Sequence, residues 1–148
     1  MADGAVADSL KLLKIVDELH SYCRHTFQLW VQWFTFFLTV NYAALGWFAS
    51  AIGEKKMNNP LPLELVGGLF TSQNVLGIVL SAIARRFFVR NGLVLGGLYG
   101  TLGVTPPEFA HRFYAVSVLL GAFAMVFVAV CWILFVALFR PVVVPDVI

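Results

Sequence analysis

Few residues in this 148-residue chain have the type and spacing needed for acid–base chemistry. Only Glu108 and His111, three positions apart, resemble a carboxylate and a base that could act together. Pro106 and Pro107 stand directly before Glu108, and this order is typical of a helix start, where an acidic side chain complements the helix dipole. We therefore expect no catalytic residue and no enzymatic activity.

Ligation of haem or a metal is the second chemistry to consider. His25 and His111 each precede a long apolar segment, so their imidazoles could meet near one face of a membrane. Haem pairs in membrane bundles usually lie inside the spans, however. Cys23 and Cys131 have neither metal-ligand spacing nor the pattern of a disulfide framework. We expect no cofactor and no metal, and a haem-binding membrane subunit remains an alternative.

A stripe of polar residues is the most organised pattern in the chain. Its members follow one another at intervals of four, three, four, three and four residues: Gln28, Gln32, Thr35, Thr39, Tyr42 and Gly46. This spacing keeps them on one face of a helix that packs with about 3.5 residues per repeat. Amides and hydroxyls bond across helices in hydrocarbon, so we expect this face to meet another helix. The aromatic residues Trp30, Phe34, Phe37 and Trp47 lie largely on other faces and suit lipid contact or the aromatic belt at the membrane interface.

Three further amides, Asn41, Gln73 and Asn74, lie near the middle of apolar segments. An unsatisfied amide there costs several kcal/mol, so we predict that these side chains hydrogen-bond to one another, within one subunit or across an oligomer. The alternative is a hydrated pore, lined by Gln73 together with the glutamines and threonines of the stripe. No charged residue lies in the centre of a span, which argues against a secondary transporter.

Three apolar segments must position these groups: residues 26–53, 63–84 and 113–139. Each reaches or exceeds the ~20 residues that cross ~30 Å of hydrocarbon. Composition agrees, since 60% of residues are hydrophobic and 12% are charged, whereas soluble domains carry about twice that charge. The sequence thus predicts an all-α integral membrane protein with three transmembrane helices in one domain, residues 1–148. A net charge of +2 without a basic run predicts no nucleic-acid partner.

Two additional helices are expected outside these spans. Residues 1–25 form an amphipathic helix on the membrane or on a partner, with an apolar stripe of Leu12, Leu13, Val16, Leu19 and Cys23. Residues 85–112 offer only about 15 residues between Arg90 and Pro106, too few for a span, so we predict a short interfacial or re-entrant helix. Anionic headgroups would contact its arginines, Arg85, Arg86 and Arg90.

Small residues at four-residue spacing predict close helix packing, in a compact bundle or an oligomer. They are Gly68 with Ser72, Gly77 with Ser81, Ser117 with Gly121, and the series Gly92, Gly96 and Gly100. The last series is equally compatible with a flexible glycine-rich connection.

Charge sets the expected orientation. Seven lysines and arginines lie before the first span or between the second and third, against three on the other side. This bias predicts a cytoplasmic N-terminus in the cytoplasmic membrane, with the loop 54–62 and the tail 140–148 outside. We expect a protein that acts by association with the bilayer and with other membrane subunits or itself, as an accessory subunit or self-assembling scaffold. A homo-oligomeric, membrane-permeabilising pore is the main alternative.

Overall fold

A computed structural model describes residues 2–53, 61–105 and 109–139 of the chain, and these ranges contain no strand. Three α-helices account for nearly all of them: α1 (Ala2–Gly53), α2 (Leu61–Leu102) and α3 (Phe109–Phe139). Each helix contains a segment long and apolar enough to cross a membrane. The predicted all-α class and the three helices of spanning length are therefore confirmed. The predicted tail and most of the predicted loop, residues 54–60, lie outside the described residues.

The two additional helices expected from the sequence are not separate elements among the described residues. Residues 2–25 are the first part of α1, which has 52 residues, and residues 85–102 are the last part of α2, which has 42. At 1.5 Å per residue, α1 is ~78 Å long and α2 ~63 Å, about twice the thickness of a hydrocarbon core or more. Glycine lowers helix propensity by only ~1 kcal/mol per residue, so the glycines of α2 do not interrupt it. A flexible connection through Gly92, Gly96 and Gly100 is therefore wrong.

α2 ends in a Schellman motif. Gly103 has a φ of 65°, a left-handed conformation that glycine adopts without the steric cost of a Cβ. Its N–H donates to the Gly100 carbonyl at 3.2 Å, and the Val104 N–H donates to the Tyr99 carbonyl at 3.1 Å. These two bonds satisfy carbonyls that a helix end leaves without a partner, which explains the end of α2 here.

The buried face of every helix follows a repeat of about 3.5 residues, the spacing of left-handed helix packing. On each helix one series of buried and half-buried positions alternates in steps of four and three. They are Cys23, Phe27, Trp30, Phe34, Phe37, Asn41, Ala44 and Phe48 on α1; Leu63, Gly67, Phe70, Asn74, Gly77, Ser81, Ala84 and Phe88 on α2; and Tyr114, Val118, Gly121, Met125, Val128, Trp132 and Phe135 on α3. We call the α1 set the inner seam.

The chain divides into two compact units. The first unit comprises Met1–Thr35 and Leu80–Gly121, and the second comprises Phe36–Val79 and Ala122–Ile148. Each contains parts of all three helices, so each has its own core.

The core of the first unit is built around Cys23, Phe88 and Val118. Phe27 stacks on Tyr114 with 4.5 Å between ring centroids. The N-terminal part of α1 packs on α2 here, since His20 Nε2 and the Tyr99 hydroxyl are hydrogen-bonded at 2.9 Å and Tyr22 meets Phe87 edge to face. The predicted amphipathic segment thus packs against its own chain.

The core of the second unit contains Phe48, Leu63, Val128 and Trp132. Phe70 stacks on Trp132, with ring planes 1° apart and centroids separated by 4.8 Å. Phe37 is only 2% exposed, so its predicted lipid contact is wrong within this unit. Trp47, in contrast, is 64% exposed, as its expected lipid contact requires.

Charged residues are divided unevenly between the units. Among the described side chains, the second unit holds one formally charged residue, Glu64. The first unit holds every described lysine and all five described arginines, which are exposed: Arg24, Arg85, Arg86, Arg90 and Arg112. The described side chains of the second unit therefore have the composition of a segment immersed in hydrocarbon, and those of the first unit include the charges typical of an interface.

Replacing Gly67 by alanine should destabilise the protein by about 1–3 kcal/mol, because the added methyl group would overlap Val136, a side chain with few alternative rotamers. The matched variant Gly68→Ala adds a methyl group with no neighbouring atom within 4 Å. It should be neutral or stabilising by up to ~1 kcal/mol, because alanine is the better helix former. The free energy of unfolding in detergent micelles checks both. Equal stability of the two variants would contradict this packing of α2 on α3.

Candidate functional site

Three buried polar side chains, one from each helix, meet in the second unit. Asn41 of α1, Asn74 of α2 and Trp132 of α3 are all 0% exposed. The Asn41 Oδ1 atom accepts two hydrogen bonds, from Asn74 Nδ2 and from Trp132 Nε1, each at 3.0 Å. We call this arrangement the polar triad. It joins three helices through a single oxygen atom.

Both asparagines are also anchored to their own helices. Asn41 Nδ2 donates to the Phe37 carbonyl at 2.9 Å, and Asn74 Nδ2 donates to the Phe70 carbonyl at 2.8 Å. These bonds fix the side-chain orientations that aim the Asn41 oxygen and the Asn74 amide at each other. The Asn74 Oδ1 atom is buried and accepts no hydrogen bond. The triad contains no charge and no nucleophile, so its chemistry is that of a register-setting contact, as a buried asparagine provides in coiled coils.

The sequence predicted bonding among the central amides, and Asn41 and Asn74 do bond. Gln73 takes no part in the triad and is exposed on α2. Trp132 was missed because the third apolar segment offers no other polar side chain near it. The available signal was its indole N–H, which usually finds a hydrogen-bond partner when it is buried.

The polar stripe of α1 lies on the opposite side of the helix from the inner seam. All six of its residues are exposed: Gln28, Gln32, Thr35, Thr39, Tyr42 and Gly46. Thr39 follows Phe37 of the inner seam by two positions, which corresponds to a rotation of about 200° around the helix. We call this stripe the polar seam. α1 therefore carries two seams with the same repeat, and the described part of the chain packs only against the inner one.

Large apolar side chains flank the polar seam. Leu29, Phe36 and Trp47 are exposed, Phe36 to 70%. Gly46 has no atom near the position of a Cβ within 4 Å, so the surface is open at that point. No helix in the described part of the chain covers this face, and its contact with a partner stays a prediction.

The small residues predicted to pack closely fall into two groups. Gly77, Ser81 and Gly121 are buried, and a Cβ at Gly121 would come within 2.5 Å of the Trp30 ring. Gly92 and Ser117 are half-buried, whereas Gly68, Ser72, Gly96 and Gly100 are exposed. The exposed members take no part in packing within the described chain.

The cationic and ligand-type residues form no enclosed centre in the described part of the chain. Arg85, Arg86 and Arg90 are exposed, which leaves headgroup contact as a prediction. The described residues contain no group of three or more histidine, cysteine or acidic side chains placed to hold a metal. The His111 side chain and Glu108 lie outside the described residues, so the pair of His25 with His111 stays a prediction.

Known proteins give no guide to function. No family model, curated protein or solved structure matches this chain. Function must therefore be inferred from the two seams and the polar triad.

Replacing Asn41 by leucine should cost more stability than the same change at the equally buried Asn74. Asn41→Leu removes the acceptor of two interhelical bonds, worth ~0.6–2 kcal/mol each, and leaves the Trp132 N–H without a partner. Asn74→Leu removes only one such bond, and it also removes the unsatisfied Oδ1 atom. Unfolding free energies of both variants in micelles measure the difference. A larger loss for Asn74→Leu would contradict the central position of the Asn41 oxygen.

Proposed function

We propose that the protein is a multi-pass membrane protein that acts by association of its helices, as an accessory subunit or self-assembling scaffold of a membrane complex. The observation that carries the proposal is the exposed polar seam of α1. Two glutamines, two threonines and a tyrosine follow a helix-packing repeat on a face that the described chain leaves uncovered. In hydrocarbon such groups are satisfied by another helix or by water.

The distribution of charge supports insertion in a membrane. Among its described residues the second unit has one charged side chain, which suits hydrocarbon, and the exposed arginines of the first unit suit lipid headgroups. Because lysines and arginines are retained on the cytoplasmic side, we place these arginines and the N-terminus there. The cytoplasmic membrane is the compartment that this orientation favours.

The polar triad and the polar seam differ in where their hydrogen bonds can form. The Asn41 oxygen of the triad already accepts two bonds from other helices of the chain. Gln32 and Thr39 are exposed on α1, and association with another helix offers them cross-helix bonds of ~0.6–2 kcal/mol each. Because 1.4 kcal/mol is tenfold in an equilibrium constant, two such bonds strengthen association by about tenfold or more.

A pore is the second candidate, and the length of the polar seam favours it. Gln28 and Gly46 are 18 positions apart in the sequence, or ~27 Å along the helix, close to the ~30 Å of a hydrocarbon core. Copies arranged with the seam toward a common axis would line a channel with amides and hydroxyls. We favour association for two reasons. The members of the polar seam are four and three residues apart, as in a contact between two packed helices, and none of them is charged.

The double variant Gln32→Leu with Thr39→Leu should lower assembly at least tenfold, because it removes bonds between helices without changing the inner seam. The measurement is the mass of the particle purified in mild detergent, including any other chains that it retains. Phe36→Leu is the control, since Phe36 is exposed beside the polar seam and should contact lipid in either case.

The same double variant separates association from a pore. Under the favoured function, vesicles containing the unmodified protein show no leak of small ions, and the variant dissociates. If the unmodified protein leaks and the double variant keeps its oligomer but stops leaking, the polar seam lines water and the pore replaces the scaffold.

A further inference from the structure

We infer that the partner of the polar seam is the polar seam of a second copy of this chain, parallel and in register about a two-fold axis along the membrane normal. This inference rests on the proposed function and specifies its partner. In this arrangement Gln32, Thr39 and Gly46 each face the same residue of the second copy across the axis.

The membrane restricts which residues can meet. Copies with the same orientation in one bilayer are related by an axis along the membrane normal, so each residue keeps its depth in every copy. A two-fold axis that passes beside the polar seam therefore brings identical residues together along its whole length. The two copies pair without any shift along the helix axis, and such a shift would move one copy to a different depth in the bilayer.

The chemistry of the polar seam is complementary to itself. A glutamine amide donates through nitrogen and accepts through oxygen, and a threonine hydroxyl does both through one oxygen. Gln32 can therefore pair with a second Gln32, and Thr39 with a second Thr39. A seam of one charge sign or of acceptors alone would repel its own copy, but the polar seam contains neither.

The repeat is that of a two-stranded contact. Gln32, Thr39 and Gly46 are seven residues apart, and so are Gln28, Thr35 and Tyr42, so the two sets occupy the two core positions of a heptad. A stripe restricted to these positions is the narrow seam of a coiled coil rather than a broad buried face. The open surface at Gly46 allows the two backbones to approach closely at that end.

The flanking residues limit the contact to this seam. Leu29, Phe36 and Trp47 are large, apolar and exposed, and a two-fold contact along the polar seam leaves them toward lipid. Ser72 and Gln73, two exposed polar residues of α2 in the second unit, offer a different surface. Because the Asn41–Asn74 bond places Gln73 at about the depth of Tyr42, pairing of α1 with α2 of another copy is the specific rival.

Cysteine cross-linking in vesicles tests the inference. The background carries Cys131→Ser, while Cys23 stays because it is only 1% exposed. Single variants Gln32→Cys and Thr39→Cys should each give at least tenfold more oxidised dimer than Phe36→Cys, the matched exposed position beside the polar seam. Energy transfer between fluorescently labelled copies of the background protein reports association independently of the new cysteines.

The outcomes separate the inference from the proposed function. Energy transfer with cross-linking at Gln32 and Thr39 supports both. Energy transfer with cross-linking only between Tyr42→Cys and Gln73→Cys copies overturns the in-register pair and leaves self-assembly standing. Absence of energy transfer overturns the pairing of copies. In that case a different chain would support the accessory-subunit function alone, if it co-purifies with the unmodified protein but not with the Gln32→Leu, Thr39→Leu variant.

Discussion

The Asn41 Oδ1 atom accepts hydrogen bonds from α2 and α3 at the same time. A shift of one helix along its axis would break one of these bonds and leave a buried donor without an acceptor, at a cost of several kcal/mol in hydrocarbon. Apolar side chains repeating every 3.5 residues would tolerate several registers. The triad selects one, and the stacking of Phe70 on Trp132 holds the indole in the same position.

This fixed register determines which face of α1 is left for function. Asn41 belongs to the inner seam, so turning it toward α2 and α3 turns the polar seam, about 200° away, out of the bundle. The internal hydrogen bonds thus leave Thr39 exposed on the opposite face of the same helix. Association through such a surface loses little conformational freedom, because the helix and its orientation are already set by the fold.

Sequence reasoning located the helices and the bonded asparagines but not the faces. The apolar length of each segment and the isolation of Asn41 and Asn74 in apolar surroundings were sufficient for those two conclusions. The choice between seams was not predictable, because Phe34, Phe37 and Asn41 have the same spacing as Gln32, Thr35 and Thr39. Polarity identified a contact face, and only the packed chain shows that this face is not the internal one. Residues 85–102 were misjudged because a length rule for isolated spans does not apply to the continuation of an existing helix.

The central claim is that α1 is covered on two opposite sides in the membrane. Spin labels placed one at a time at positions 28–39 of the protein in bilayers measure this directly, through collision with lipid-soluble oxygen and with a water-soluble nickel complex. The account predicts low access of both reagents at Gln32 and Thr39 as well as at Phe37, and high oxygen access at Leu29 and Phe36. Oxygen access at Gln32 and Thr39 equal to that at Phe36 would show that the polar seam faces lipid and would contradict the claim.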